Sequence, residues 1–158
     1  MTSRLVILTG ASRGLGAAMA EQLLRAGTVM LCLSRGQHPT LAAQAAAAQV
    51  QLEEWPRDLA DSITVADEVQ AWLNTFPTDR FDEAVLINNA GVIGTPGPSD
   101  GSSAAELAHT LRVGLEATIL LTAAFLRATP QWRADRRVLN ISSGLGRRAM
   151  AGSAVYCA

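Results

Sequence analysis

The sequence predicts an α/β protein built on a doubly wound parallel sheet. Short aliphatic runs alternate along the chain with longer segments whose apolar residues recur at helical spacing. The first run, residues 5–8, leads directly into a glycine-rich turn, and 49% of all residues are hydrophobic while 17% are charged. Strands that alternate with helices of this length form βαβ units with right-handed crossovers, so we expect helices on both faces of the sheet.

The aliphatic runs predict five strands, at residues 5–8, 29–33, 50–55, 84–87 and 138–141. Helices are predicted over residues 15–26 with Gly27 as the stop, over the alanine-rich residues 41–48, after the N-cap residue Asp61, and over residues 104–129 before Pro130. Residues 92–103, which contain several glycines and prolines, are predicted to form a long loop. Ligands of such a sheet bind beyond the carboxyl ends of the strands, where the strand order reverses.

Length and composition predict one domain, residues 1–158, and exclude several classes of function. With 13 basic and 14 acidic residues and 4% aromatics, the chain lacks the basic or stacking surface of a nucleic-acid-binding protein. Cys32 and Cys157 lie far apart and predict neither a disulfide nor a metal site, so we expect a reducing cytoplasm. The most apolar stretch, residues 117–126, is about half the ~20 residues that a membrane span needs. Since the N-terminus shows no signal peptide either, we expect a soluble protein.

A glycine-rich turn, Thr9-Gly10-Ala-Ser-Arg-Gly14-Leu-Gly16, follows the first predicted strand. Glycine permits a tight turn, a close approach of backbone N–H groups to a pyrophosphate, and close helix packing. The spacing differs from the usual Gly-x-Gly-x-x-Gly, and such turns also occur for packing alone, but the position after the first strand favours dinucleotide binding. The predicted contacts are Gly10, Ser12, Arg13, Gly14, Leu15 and Gly16.

The end of the second predicted strand indicates which nicotinamide dinucleotide would bind. An NAD site has a carboxylate there for the ribose 2′-hydroxyl, whereas this chain reads Ser34-Arg35-Gly36. Arg35 and Arg13 can flank a 2′-phosphate with charge-assisted hydrogen bonds. The alternative is that both arginines are solvated surface residues. We therefore predict NADP as the cofactor, with Ser34 and Arg35 among its contacts.

Four motifs, taken in order, resemble those of the short-chain dehydrogenase/reductase family. They are the glycine turn, Asp58-Leu59 after the third strand, Asn88-Asn89-Ala90-Gly91 after the fourth, and Ser143 with Tyr156 around the fifth. The sequences around Ser143 and Tyr156 are also similar to those of sepiapterin reductase and its bacterial carbonyl-reductase relatives. The resemblance runs over almost the whole chain and implies a Rossmann fold.

The resemblance implies how several residues would meet the cofactor. Asp58 would contact the adenine amino group and Leu59 the edge of the adenine ring. Asn89, Ala90 and Gly91 would lie along the adenosine ribose and support the central strand. Tyr156 would contact the cofactor as well.

The resemblance also implies the chemistry, a hydride transfer between NADP(H) and a small carbonyl or alcohol substrate. Tyr156 would be the general acid for the substrate oxygen, and Ser143 would donate a second hydrogen bond to it. Ser142 is the neighbouring alternative, and either serine can simply cap the end of a strand. We expect no metal.

Two departures from the family pattern affect the expected activity. The family has a lysine four residues after the tyrosine, which holds the nicotinamide ribose, and this chain ends at Ala158. Gly114 stands where the family has an asparagine that ties the lysine to a water relay. We therefore expect these residues to be the N-terminal part of a longer enzyme, with the last strands of the sheet missing and no activity on their own.

Other readings remain open. A non-catalytic NADP-binding sensor of the same fold, or a purely structural domain, would share these motifs.

We expect a homodimer or homotetramer, because the family uses the helix over residues 104–129 for subunit contacts. His38 and His109 are expected to be a solvated loop residue and a helix residue rather than metal ligands, and the tryptophans are expected to pack inside the protein.

Overall fold

The computed structural model describes residues 3–158 and contains one parallel sheet of five strands in the order β3-β2-β1-β4-β5. The strands are β1 Arg4–Thr9, β2 Thr28–Ser34, β3 Gln51–Pro56, β4 Glu83–Asn88 and β5 Asp135–Asn140. The chain builds outward from β1 to β3, then crosses to β4 on the other side of β1. The doubly wound α/β fold is therefore confirmed, and its switch point lies between the carboxyl ends of β1 and β4.

The helices match the four predicted segments with shifted ends, and a further short helix over residues 154–157 was not predicted. They are α1 Gly14–Leu23, α2 Leu41–Ala47, α3 Ser62–Leu73, α4 Ala104–Leu111, α5 Ala117–Ala128 and α6 Ala154–Cys157. The long helix predicted over residues 104–129 is continuous, but its central turn, Arg112–Glu116, is π-helical and contains Gly114. Asp61 stands at the N-cap of α3 as predicted, yet its side chain accepts no capping hydrogen bond, so that part of the prediction is wrong.

The core consists of two layers because successive residues of each buried strand point to opposite faces. Leu5 and Ile7 of β1 pack with α3 and α5, whereas Val6 and Leu8 pack on the face covered by α1 and α2. The predicted packing role of the three tryptophans is confirmed: edge-on aromatic contacts link Trp55, Trp72, Phe76 and Trp132. The Glu53 carboxylate accepts hydrogen bonds from the indole N–H groups of Trp55 and Trp72, each at 3.1 Å.

β5 is the outer strand on its side of the described sheet. It pairs with β4 alone, and all six of its residues are exposed. Within residues 3–158, no helix is both long and apolar enough to cross a bilayer.

Candidate active site and cofactor cleft

A cavity of about 430 Å³ opens at the carboxyl ends of the strands, beside the switch point. We call it the cofactor cleft. It brings together all the residues that the sequence proposes for the cofactor except Tyr156: Gly10, Ser12, Arg13, Gly14, Leu15, Gly16, Ser34, Arg35, Asp58, Leu59, Asn89, Ala90 and Gly91. The sequence did not indicate five further lining residues, Leu33, Gly36, Arg57, Val92 and Val113.

The glycine turn forms the floor of this cleft and leaves no room for a side chain at Gly10 or Gly16. A Cβ on Gly16 would lie 2.0 Å from the Gly10 carbonyl oxygen, and one on Gly10, whose φ is +75°, would lie 3.0 Å from the Cα of Ala90. Helix α1 begins here, and its N-cap residue, Arg13, makes no side-chain capping bond. A bare helix N-terminus beside a close-packed glycine turn is the arrangement that accepts a phosphate.

The end of β4 ties this turn to the centre of the sheet. The Thr9 hydroxyl oxygen accepts hydrogen bonds from the backbone N–H groups of Asn89 and Ala90, both at 2.9 Å. The Asn89 side-chain amide donates to the carbonyl oxygens of Thr9 at 2.9 Å and Gly10 at 3.4 Å. These bonds connect two segments about eighty residues apart in sequence, and they fix the wall of the cleft against its floor.

Three guanidinium groups lie at the cleft. Arg13 and Arg35 are exposed, and neither side chain makes a hydrogen bond or ion pair with any residue in the described range 3–158. Arg57 is held by Glu68, with its Nε 2.7 Å from Oε2, and its guanidinium lies 5.9 Å from the Trp55 ring centroid. The hydrogen bond and charge of Glu68 raise the pKa of Arg57 above its ordinary value.

Arg57 reaches the cleft because β3 runs beside β2. Its backbone N–H donates to the Ser34 carbonyl at 3.1 Å, at the strand end that also presents Arg35. The next residue, Asp58, accepts a hydrogen bond from the Ala60 N–H at 2.9 Å, and Leu59 is buried. The cleft therefore joins a cationic rim to an apolar wall, which suits a phosphorylated nucleoside.

A second cavity, of about 250 Å³, holds the proposed catalytic pair, and we call it the substrate cavity. Ser142, Ser143 and Tyr156 all line it, as does Gly114. Residues 89–92 line both cavities, so the substrate cavity and the cofactor cleft share one wall. The structure places Tyr156 on this side and not in the cofactor cleft.

The Ser143 side chain also has the capping role that was its alternative reading. Its Oγ accepts a hydrogen bond from the Leu145 N–H at 3.2 Å, at the start of a single 3₁₀ turn. An accepting hydroxyl keeps its own hydrogen free to donate. Capping and hydrogen-bond donation to a substrate are therefore compatible at Ser143.

Gly114 lines the substrate cavity at the π-helical turn, and a Cβ added there would meet no atom within 4 Å. His38 is not the solvated loop residue that the sequence suggested, because its Nε2 lies 3.5 Å from the Glu21 carboxylate and its side chain is only 12% exposed. Neither His38 nor His109 lines either cavity. Among residues 3–158, no group of three or more potential ligands is placed to hold a metal ion.

Comparison with known proteins supplies the family. The family model for short chain dehydrogenases matches residues 4–158. The chain belongs to this family. Membership confirms the resemblance drawn from the four motifs and makes the chain part of an oxidoreductase family.

Two relatives show how far the similarity extends. Benzil reductase ((S)-benzoin forming) of Bacillus cereus is 32% identical over 154 residues, which is 98% of this chain and 62% of that protein. Sepiapterin reductase of Bos taurus is 30% identical over 170 residues, covering 98% of this chain and 61% of that protein. The chain thus spans about three fifths of the length of these relatives.

Solved structures of the family share the fold. A short-chain dehydrogenase/reductase from Burkholderia vietnamiensis superposes with a TM-score of 0.85 at 38% identity, covering 99% of this chain and 70% of that one. A metagenomic short-chain oxidoreductase in complex with NADP gives a TM-score of 0.79 at 31% identity, covering 98% and 68%.

Proposed function

We propose that this chain forms the cofactor-binding and catalytic part of an NADP-dependent reductase or dehydrogenase acting on a small carbonyl or alcohol. The observation that carries the proposal is the shared wall, residues 89–92, between the cofactor cleft and the cavity that holds Ser143 and Tyr156. A cofactor in the first and a substrate in the second would meet at that wall. When bound, NADPH supplies the hydride for such a reaction.

The chain's own residues fit the dinucleotide. The glycine turn gives backbone space that a Cβ would fill, and the N-terminus of α1 favours a pyrophosphate. Arg13 and Arg35 have no protein partners within the described residues, so their donors are available to a 2′-phosphate. Residues 34–36 contain no carboxylate to accept the ribose hydroxyl of NAD. These features favour NADP over NAD.

Charge-removing substitutions test the cofactor preference. Arg13→Ala and Arg35→Ala should each weaken NADP binding by about 10- to 150-fold, since a hydrogen bond to a charged group contributes about 1.5–3 kcal/mol. The affinity for NAD should stay the same, because NAD lacks the 2′-phosphate. Arg127→Ala, an exposed arginine near the end of α5, is the matched control. Equal losses for NADP and NAD in calorimetric titrations would argue against the assignment.

In the proposed reaction, Tyr156 donates its phenolic proton to the substrate oxygen as the carbonyl is reduced. Ser143, held by the Leu145 N–H, donates a hydrogen bond to the same oxygen and stabilises its developing charge. In the alcohol-oxidising direction the deprotonated Tyr156 accepts the hydroxyl proton while Ser143 keeps its hydrogen bond to the oxygen, and NADP+ would take up the hydride from the carbon. The similarity to benzil reductase favours an α-diketone such as benzil as the first substrate to try.

Substitutions of the catalytic pair test this chemistry in the complete gene product. Tyr156→Phe should lower kcat by about 10²- to 10⁴-fold, and Ser143→Ala by about 10²- to 10³-fold, with NADPH oxidation followed against benzil and simple ketones. Ser142→Ala is the control that separates the two neighbouring serines. An unchanged rate for Tyr156→Phe would contradict its role as proton donor, whereas NADP binding with no NADPH oxidation by the unaltered protein would favour the non-catalytic alternative.

We further propose that residues 1–158 alone bind NADP without turning over substrate. They contain no lysine, so the family's lysine partner of the tyrosine is not among them. Steady reduction of a ketone by a chain confirmed by mass spectrometry to contain only these residues would disprove this.

Because both cysteines are free thiols, we also propose a reducing, cytoplasmic location.

An apolar stripe supports the proposed homodimer or homotetramer. Leu111, Leu115, Ile119 and Leu126 are exposed along α4, the π-helical turn and α5. A continuous apolar stripe of this kind marks an association surface. Leu115→Glu should convert an oligomer to monomers in sedimentation velocity, while Ile63→Glu, at an exposed position on α3, should not.

A further inference from the structure

The loop that follows β4 is held at two points by backbone hydrogen bonds. The Thr95 N–H donates to Oε1 of Glu106 on α4 at 2.9 Å. Two residues later, the Gly97 N–H donates to the carbonyl oxygen of Gly152 at 2.8 Å. Gly152 lies four residues before Tyr156, so one loop connects α4 to the segment that carries the proposed proton donor.

The Glu106 carboxylate bonds to the loop instead of capping the N-terminus of α4. The sequence Ser103-Ala-Ala-Glu106 is a capping-box pattern, in which the glutamate normally accepts from the N-cap backbone N–H. Half of the box forms here: the Ser103 Oγ accepts from the Glu106 N–H at 3.2 Å. The carboxylate, however, bonds Thr95 in the loop. Hydrogen bonds from the Thr95 side chain and backbone lower the pKa of Glu106 below its ordinary value, so the carboxylate is charged at neutral pH.

Two glycines with positive φ, Gly94 and Gly152, lie where the loop meets its neighbours. Gly94 has φ +72°, and a Cβ there would lie 3.2 Å from the Thr110 Oγ1 of α4. Gly152 has φ +75°, and a Cβ there would lie 3.2 Å from the backbone nitrogen of Gly97. The loop therefore fits tightly between α4 and residues 152–156, and a small cavity between them is lined by Glu106, Gly152 and Tyr156.

We propose that Glu106 is a positioning residue for Tyr156. Through Thr95 and the Gly97–Gly152 contact, its carboxylate fixes the loop against the start of α6, and this sets the direction in which the Tyr156 side chain faces the substrate cavity. The inference rests on the proposed function for its catalytic meaning. The mechanical link from Glu106 to Tyr156 can be measured without any turnover.

The first test compares Glu106→Ala with Asp100→Ala. Both remove one carboxylate from the same region, but Asp100 makes no side-chain hydrogen bond or ion pair with any residue from 3 to 158. Amide hydrogen exchange at Thr95 and Gly97 should rise about 10-fold or more in Glu106→Ala and stay unchanged in Asp100→Ala. Glu106→Gln keeps an acceptor oxygen and should restore most of the protection.

The second readout uses the fact that Tyr156 is the one tyrosine of the chain. With ¹³Cζ-tyrosine labelling, Glu106→Ala should shift the single resonance, and Asp100→Ala should leave it in place. Gly152→Ala, which keeps Glu106 but crowds Gly97, should shift it as well. If Glu106→Ala does not fold, Glu106→Asp decides the matter, because its shorter side chain withdraws the acceptor from the Thr95 N–H and should shift the resonance too. Faster exchange at Thr95 with no change at Gly97 or Tyr156 would overturn the proposal.

Kinetics in the complete gene product separate this inference from the proposed function. Glu106→Ala should lower kcat and raise KM for the carbonyl substrate while the dissociation constant for NADP stays constant, because the cofactor cleft is untouched. If the unaltered protein reduces no ketone, the proposed function fails while the exchange and resonance shifts still decide the positioning role. Normal kcat and KM in Glu106→Ala would overturn the positioning role in an active enzyme.

Discussion

The two halves of the candidate site are built in different ways. The cofactor cleft stands on β1 and β2, where nearly every residue is buried, and its glycine turn is bonded to the end of β4. The proposed catalytic pair follows β5, whose residues are all exposed, and depends on local bonds at Ser143, Glu106 and Gly152. The cofactor side is thus fixed by the core of the fold, and the catalytic side by a few polar contacts near the surface.

This difference predicts that the largest losses of stability come from the cofactor side. Gly16→Ala should lower the free energy of unfolding by about 3 kcal/mol and remove NADP binding, because the new Cβ would lie 2.0 Å from the Gly10 carbonyl oxygen. Urea denaturation and calorimetric titration measure the two effects. Gly114→Ala is the control: its Cβ has free space, and the helix should gain up to about 1 kcal/mol. A stable, NADP-binding Gly16→Ala variant would show that the cofactor side is not fixed more firmly than the catalytic side.

Alkaline pH should also destabilise the buried side. Burial, assisted by the nearby Glu54 charge, raises the pKa of Cys32 from 9.0 to about 12. The thiol therefore stays neutral in the folded chain while it ionises in the unfolded chain, so stability is complete below pH 9 and falls between pH 9 and 12. By pH 11 the loss should reach about 2–3 kcal/mol. Cys32→Ala should abolish this part of the pH dependence in urea titrations; an equal slope in both proteins would contradict the assignment.

Removing the Thr9 hydroxyl should have a somewhat smaller effect. Thr9→Val leaves the backbone N–H groups of Asn89 and Ala90 without their acceptor, at a cost of about 2 kcal/mol. Thr118→Val, which removes a helix hydroxyl bonded to the Gly114 carbonyl, should change stability by less than about 0.5 kcal/mol. Chemical denaturation measures both variants, and equal effects would show that the link between β1 and β4 is unimportant.

The catalytic side should show the smallest change in stability. Ser143→Ala removes one capping bond to Leu145 and should cost about 1 kcal/mol or less, although we expect it to lower kcat strongly. Thermal denaturation of this variant measures the loss of stability. A loss as large as that of Gly16→Ala would mean that the serine belongs to the structural core.

The sequence predicted the fold and most of the cleft because both depend on local patterns. Strand–turn–helix order placed the glycine turn and Arg35 correctly at the strand ends. Arg57 was missed because its position depends on the pairing of β3 with β2, which brings it next to Ser34. Glu106 was missed because its contact with Thr95 depends on how the loop after β4 lies against α4, which the sequence pattern does not show. The π-helical turn around Gly114 was not predicted, because its residues continue the helical pattern of the segments on either side.

A ³¹P nuclear magnetic resonance titration of the bound cofactor tests most directly whether this cleft holds NADP by its 2′-phosphate. A phosphate monoester has a second pKa near ~6. We expect binding to lower the pKa of the 2′-phosphate, because Arg13 and Arg35 favour its dianion, and Arg35→Ala to reverse most of this change. A bound cofactor whose 2′-phosphate titrates as it does in water, or a chain that binds no NADP, would show that these arginines do not hold the 2′-phosphate.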